Sequence, residues 1–121
     1  MKVAVTGSNG FVGNHLCLKL CLLGYEVVKI DRSKWEGLSK HLEGVVTIFH
    51  CAGVNRPDKE ADYQINELMA NQLLLSIDKS TQKIVYTNSS HSLLNNAYGK
   101  SKKRSADILE TGCVNKEIEF K

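Results

Sequence analysis

With 121 residues, 42% of them apolar and 24% charged, the chain has the size and balance of one globular domain that builds a core without disulfides or metals. A net charge of +3 is too small to point to nucleic acid, and the one basic run, "GKSKKRS" at 99–105, reads as a solvated helix face. The most apolar stretch, 11–23, is interrupted by Asn14, His15 and Lys19 and is too short for a bilayer, which takes about 20 residues. It reads as a buried helix.

The N-terminus runs directly into an apolar strand pattern and a glycine turn, with no charged segment or cleavage site of a secretory signal. Cys17, Cys21, Cys51 and Cys113 are not spaced as metal ligands, and no metal is expected. Cys17 and Cys21 stand four apart in an apolar helical run, where free cysteine acts as a small hydrophobe. A reduced, cytoplasmic setting is the expectation.

In chain order, "KVAVTG" (2–7) is a strand that ends in glycine. The helix over 11–23 stops at Gly24, a natural C-terminal cap. "EVVKID" (26–31) is a second strand, and 34–43 is weakly helical, with Trp35, Leu38 and Leu42 at helical spacing. "VVTIFHCAG" (45–53) is a third strand, continuously apolar as a strand covered on both faces should be. After the loop holding the only proline, Pro57, a helix is expected over 60–79. Ile65, Leu68, Met69, Leu73 and Ile77 form its stripe, while Leu74 and Leu75 broaden it enough to bury a second face against a partner. "KIVYTNSS" (83–90) is a strand, a helix follows over 97–111, and "EIEF" is a short last strand.

Strands alternating with helices predict an α/β fold: a parallel sheet with right-handed crossovers and helices on both faces. Between Asp31 and Val45 there is room for a helix but hardly for a further strand. The sheet should therefore be narrower on that side than a full dinucleotide-binding fold.

"TGSNGFVG" (6–13) sets Gly7, Gly10 and Gly13 three residues apart, between a predicted strand and a predicted helix. That context is what a phosphate-cradling glycine motif needs. Gly7 permits the tight turn, Gly10 lets a pyrophosphate approach the backbone, and Gly13 lets the helix pack closely on the sheet. The helix N-terminus then offers unpaired amides and a positive dipole to an anion. Asn9, Phe11 and Val12 complete the cofactor-binding candidates of this turn. Asp31, 24 residues after Gly7, stands where an acid accepts hydrogen bonds from the adenosine ribose. Arg32 beside it suits a 2′-phosphate instead. NAD and NADP both stay open.

"TGSNGFVG", the strand ends "FHCAGVNRP" and "YTNSS", and "YGKSK" occur in that order. As a set they resemble the extended short-chain dehydrogenase/reductase family, the NAD(P)-dependent nucleotide-sugar epimerases, dehydratases and ketoreductases. "HCAGVNRP" followed by "NNAYGKSK" is most similar to the reductase domain of capsular-polysaccharide enzymes that make deoxy-amino sugars, a branch that also lacks the third strand. The resemblance implies a Rossmann-like fold and a role in surface-polysaccharide sugar biosynthesis. It implies Tyr98 as the proton-transferring phenol, Lys102 as its activator and a further cofactor contact, and Ser89 as the serine that hydrogen-bonds the reacting sugar oxygen. Ser90 is the alternative serine. The backbone of Cys51, Ala52 and Gly53 would lie beside the cofactor. Asn66 matches a recurring asparagine that serves structure more often than chemistry, and Arg56 is a possible substrate contact.

Physical chemistry supports the pair independently. A free tyrosine has a pKa near ~10 and is a poor base at neutral pH. Bringing it to about 7 takes roughly 4 kcal/mol of preference for the phenolate. A lysine ammonium within about 4–6 Å supplies stabilisation of that sign, and a spacing of four puts both side chains on one helix face. Tyr63 and Tyr86 have no lysine four residues later, whereas Tyr25 precedes Lys29 inside a strand pattern; all three read as packing residues. His15, His41, His50 and His91 show no metal-like grouping, and His50 reads as a satisfied core histidine.

Relatives of this kind run on for roughly another 150–200 residues, enough for a second domain. The resemblance therefore implies that residues 1–121 are the N-terminal, cofactor-binding part of a longer nucleotide-sugar enzyme. A homodimer through the helices at 60–79 and 97–111 is also implied. The alternative is a non-catalytic dinucleotide-binding or interaction module, and an α/β scaffold without cofactor ranks third.

Overall fold

A computed structural model describes residues 1–52, 64–87 and 97–121, with backbone alone at residues 97 and 98. The chain runs β1 (Lys2–Thr6), α1 (Phe11–Leu22), β2 (Glu26–Ile30), a 3₁₀ turn (Arg32–Trp35), α2 (Leu38–His41), β3 (Thr47–His50), α3 (Gln64–Ser76), β4 (Lys83–Tyr86), α4 (Ala97–Lys116) and β5 (Glu119–Phe120). Every strand pair is parallel, and the sheet order is β2-β1-β3-β4-β5. Among the described residues β2 is the edge on its side, as the short interval after Asp31 predicted. The order reverses between β1 and β3, which makes the crevice beyond their carboxyl ends the topological switch point.

Side chains alternate across β1 and so serve two cores. Val3 and Val5 pack with Cys17 and Leu20 of α1 on one face. Ala4 faces the larger core, where Ile48 and Ile84 meet Leu38, Leu42, Leu73 and Leu109 from α2, α3 and α4. Among the described residues, helices therefore cover both faces unequally: one on the first, three on the second. The imbalance corrects the reading of 11–23 as a buried helix. Only Gly13, Cys17 and Leu20 of α1 are buried, while Phe11, Val12, Leu18 and Leu22 are exposed. The described residues provide no second layer over its outer side.

Element ends differ from the sequence expectation for identifiable reasons. The third strand stops at His50 because the Cys51 and Ala52 amides turn to the Thr6 hydroxyl, at 3.0 and 3.1 Å, instead of to a neighbouring strand. The helix expected over 60–79 is helical at 64–76. Beyond Ser76, Asp78 accepts from the Ser80 amide at 2.8 Å and the Gly44 amide at 3.2 Å, a local turn that competes with helix. Residues 60–63 lie outside the described residues.

In 34–43, Gly37 adopts φ 73° and divides the segment into the 3₁₀ turn and the four-residue α2. The helix expected over 97–111 continues to Lys116, since Gly112 does not end it. A Cβ there would stand 2.4 Å from Leu74 Cδ1, so Gly112 is where α4 closes on α3. The helix ends instead at Glu117, in the left-handed region at φ 58°, and "EIEF" contributes only Glu119 and Phe120 to the sheet.

Candidate functional site

The glycine turn joins β1 to α1 at the switch point. Gly7 has φ +66°, a conformation that side chains disfavour. It also lies so close to the β3 end that a Cβ would stand 2.8 Å from the Ala52 nitrogen. Gly13 is tighter still: a Cβ there would sit 2.1 Å from the Gly7 carbonyl oxygen. Its smallness therefore serves the turn itself more than the sheet. Gly10 is the N-terminal cap residue of α1 and offers no side chain to its first amides. Those amides, exposed with Asn9, Phe11 and Val12 around them, keep their capacity for an anion.

At the end of β2, Asp31 caps the 3₁₀ turn, its Oδ1 accepting from the Ser33 amide at 3.0 Å and the Ser33 hydroxyl at 2.6 Å. The Ser33 hydroxyl, then burial in the opposing sense, then the Ser33 and Lys34 amides and the Lys34 charge, set its pKa below the usual aspartate value. The carboxylate is ionised at neutral pH, with its second oxygen available to hydroxyl donors. Arg32 is exposed beside it.

Thr6 is a residue that sequence reasoning missed. Its oxygen accepts from the Cys51 and Ala52 amides, which occupies both lone pairs, so its own proton goes to His50 Nδ1 at 2.7 Å. His50 is thereby fixed as the tautomer protonated at Nε2. Burial, reinforced by the charge of Lys102, pushes its pKa down to about 3. It is the satisfied, neutral core histidine that the sequence suggested. The signal for Thr6 was a threonine at a strand end directly before a glycine turn, which is weak by itself.

Lys102 comes to the same end of the sheet from α4. It is buried, its Nζ donates to the Thr87 carbonyl at 3.0 Å, and it stands 4.3 Å above the centre of the Tyr86 ring. Burial lowers its pKa, partly offset by Cys51. Cys51 is itself a neutral thiol, pushed up to about 11 chiefly by burial. Tyr98 lies in the first turn of α4, one helical turn before Lys102. Asn66 donates to the Ser101 hydroxyl at 3.0 Å and fastens α3 to α4 next to Lys102. The reading of 99–105 as a solvated helix face therefore needs correction: Lys100, Lys103 and Arg104 are exposed, Arg104 pairs with Glu67 at 2.7 Å, and Lys102 points inward.

The structure thus brings Gly7, Gly10, Gly13, Cys51, Ala52 and Lys102 to one end of the sheet, with Asp31 and Arg32 following β2. Gly53, Arg56, Ser89, Ser90, His91 and the Tyr98 side chain lie outside the described residues.

A family profile described as the NAD dependent epimerase/dehydratase family matches residues 3–116. The chain belongs to that family. It is 38% identical over 115 residues to the UDP-2-acetamido-2,6-beta-L-arabino-hexul-4-ose reductase of Pseudomonas aeruginosa, covering 91% of this chain and 31% of that protein. Its fold is that of a short-chain dehydrogenase/reductase superfamily protein from Agrobacterium tumefaciens solved with bound NAD, at TM-score 0.86 and 18% identity over 99% of this chain and 47% of the other. The capsular polysaccharide assembling protein CapF from Staphylococcus aureus has the same fold at TM-score 0.76 and 23% identity, over 99% of this chain and 32% of that one. The chain thus spans about a third to a half of these relatives. Family membership agrees with the Rossmann-like fold and with a nicotinamide dinucleotide as the cofactor class.

Proposed function

We propose that this chain is the cofactor-binding part of an NAD(P)-dependent nucleotide-sugar oxidoreductase or epimerase, with Tyr98 as proton-transfer group, Lys102 as its activator and Ser89 as the serine at the reacting oxygen. One observation carries the reading. A buried ammonium, one helical turn after Tyr98, stands at the end of the sheet where the glycine turn and the Cys51–Ala52 backbone meet.

The donor set fits a dinucleotide. The α1 amides and the close glycine turn suit a pyrophosphate, and the ionised Asp31 suits ribose hydroxyls. The bound cofactor would supply or accept hydride. This chain's residues do the rest. Lys102, charged and within one turn, favours the phenolate of Tyr98, and Tyr98 moves the proton on the sugar oxygen. Ser89 orients that oxygen and stabilises charge that develops on it.

The Pseudomonas relative favours a UDP-linked 4-keto sugar as substrate, reduced in surface-polysaccharide synthesis, and a cytoplasmic site of action goes with that chemistry. No helix among the described residues is long and apolar enough to cross a membrane. A homodimer through α3 and α4 fits the exposed Ile65, Leu68 and Leu75. The reading is tested by assaying the complete enzyme for nicotinamide oxidation with UDP-linked 4-keto sugars. Turnover with such a sugar is expected; oxidation of the nicotinamide by none of them would reject the substrate class.

A further inference from the structure

Lys102 ends a column of side chains drawn from β4, β3 and the 3₁₀ turn after β2. Its ammonium lies 4.3 Å from the Tyr86 ring centre, inside the ~6 Å reach of a cation–π contact. Behind Tyr86, the His50 ring is nearly parallel, 5.5 Å away with planes 21° apart, and Trp35 meets His50 edge-on at 6.1 Å. The Thr6 hydroxyl pins His50 at 2.7 Å. The column therefore links the ammonium to the turn that carries Gly7.

The charge balance around Lys102 gives this arrangement a purpose. Burial opposes the charged form of Lys102. Among the described residues no carboxylate lies within ion-pairing distance of it. Cys51, just past the end of β3, is a neutral thiol, and His50 is neutral as well. Among the described residues, the Thr87 carbonyl and the face of the Tyr86 ring offset the lost hydration. Both come from β4 and the residue after it, so both are rigidly placed.

We propose that Tyr86 is a positioning residue for Lys102: its ring face, braced by His50, holds the ammonium charged and fixed at the end of β4, in reach of the helical turn that carries Tyr98. This rests on the acid/base reading of Tyr98 and Lys102. Tyr86 acts through Lys102. The feature it needs is an aromatic face, not a hydroxyl.

The test is a pH titration of the Lys102 side chain by NMR in this chain with labelled lysine, for the native protein, Tyr86→Phe and Tyr86→Leu. Phenylalanine should leave the Lys102 midpoint where it is, and leucine should lower it by about one pH unit, the scale of a desolvated cation–π contact. Should the leucine variant fail to fold, Tyr86→Met provides the same comparison. A midpoint unmoved in a folded leucine or methionine variant overturns the proposal, as does a phenylalanine shift as large as theirs. The Tyr98 phenol titration, compared between the native chain and Lys102→Met, tests the underlying reading separately. A Tyr98 midpoint that does not rise sinks the acid/base pair, whatever Tyr86 does to Lys102.

Discussion

The Thr6 hydroxyl donates to His50 Nδ1 across 2.7 Å, joining β1 to β3 inside the core at the switch-point end of the sheet. Burial makes this histidine an acid sensor for the fold. Burial, and then Lys102, hold its folded pKa at about 3, below the ordinary 6.5 of the unfolded chain. Between those values the unfolded chain takes up a proton that the folded chain refuses. The stability from this site is complete above about pH 6.5 and is lost as pH falls toward about 3, at about 1.4 kcal/mol per unit inside the window. Asp31 and Asp78, both lowered from 3.8, lose their contribution only as pH falls through about 3.8 and below, which is outside the interval from pH 7 to pH 5. Urea unfolding should therefore show about 2 kcal/mol less stability at pH 5 than at pH 7. Equal stability at the two values would contradict a buried neutral His50.

Replacing Thr6 with valine keeps the shape and removes the oxygen that serves His50, Cys51 and Ala52. Leaving such buried groups without a partner costs about 1–3 kcal/mol each at most sites. A loss of about 3 kcal/mol in chemical denaturation is expected. A change under about 0.5 kcal/mol would mean that other groups satisfy those amides.

The glycines divide by what surrounds them. Gly13→Ala places a methyl against the backbone carbonyl of Gly7, which cannot swing aside, and should cost about 3 kcal/mol or more. Gly112→Ala meets only the end of Leu74, a side chain that can change rotamer, and should cost about 1–2 kcal/mol. Gly24→Ala has open space but φ +92°, for a penalty of about 1 kcal/mol. Thermal unfolding of the three variants should reproduce that order. Gly112→Ala as damaging as Gly13→Ala would contradict the close α1 approach as the special constraint.

In the complete enzyme, Tyr98→Phe should lower kcat by about 10²–10⁴-fold, the range of a lost general acid–base group, with cofactor affinity nearly unchanged. Single-turnover kinetics with the sugar and a separate cofactor titration read the two effects. Activity within threefold of the native enzyme would remove Tyr98 from its role.

Much of this architecture was legible from residue patterns. Continuous apolar runs and the glycine turn defined the parallel sheet, and the short interval after Asp31 anticipated its narrow edge. Periodicity could not show which helices lacked a second layer, so α1 read as buried although Phe11, Leu18 and Leu22 face outward. Element ends were missed where side chains redirected the backbone: Thr6 at the end of β3, and Asp78 after α3. In the candidate site, the tyrosine–lysine spacing singled out Lys102, which the structure buries against Tyr86. Tyr86 reads as a packing residue in the sequence because its partners arrive from distant parts of the chain: His50 from β3 and Lys102 from α4. Spacing along one helix cannot report a contact of that kind.

The most direct test of a dinucleotide site at this glycine turn is the thermal unfolding of the 121-residue chain with NAD, NADH, NADP and NADPH in turn. A ligand present at 100 times its Kd adds about 2.7 kcal/mol of stability, which raises Tm by roughly 10 °C in a domain of this size. At least one of the four should produce such a rise, and the Asp31→Ala variant should reduce it. An unchanged Tm with all four would contradict the account.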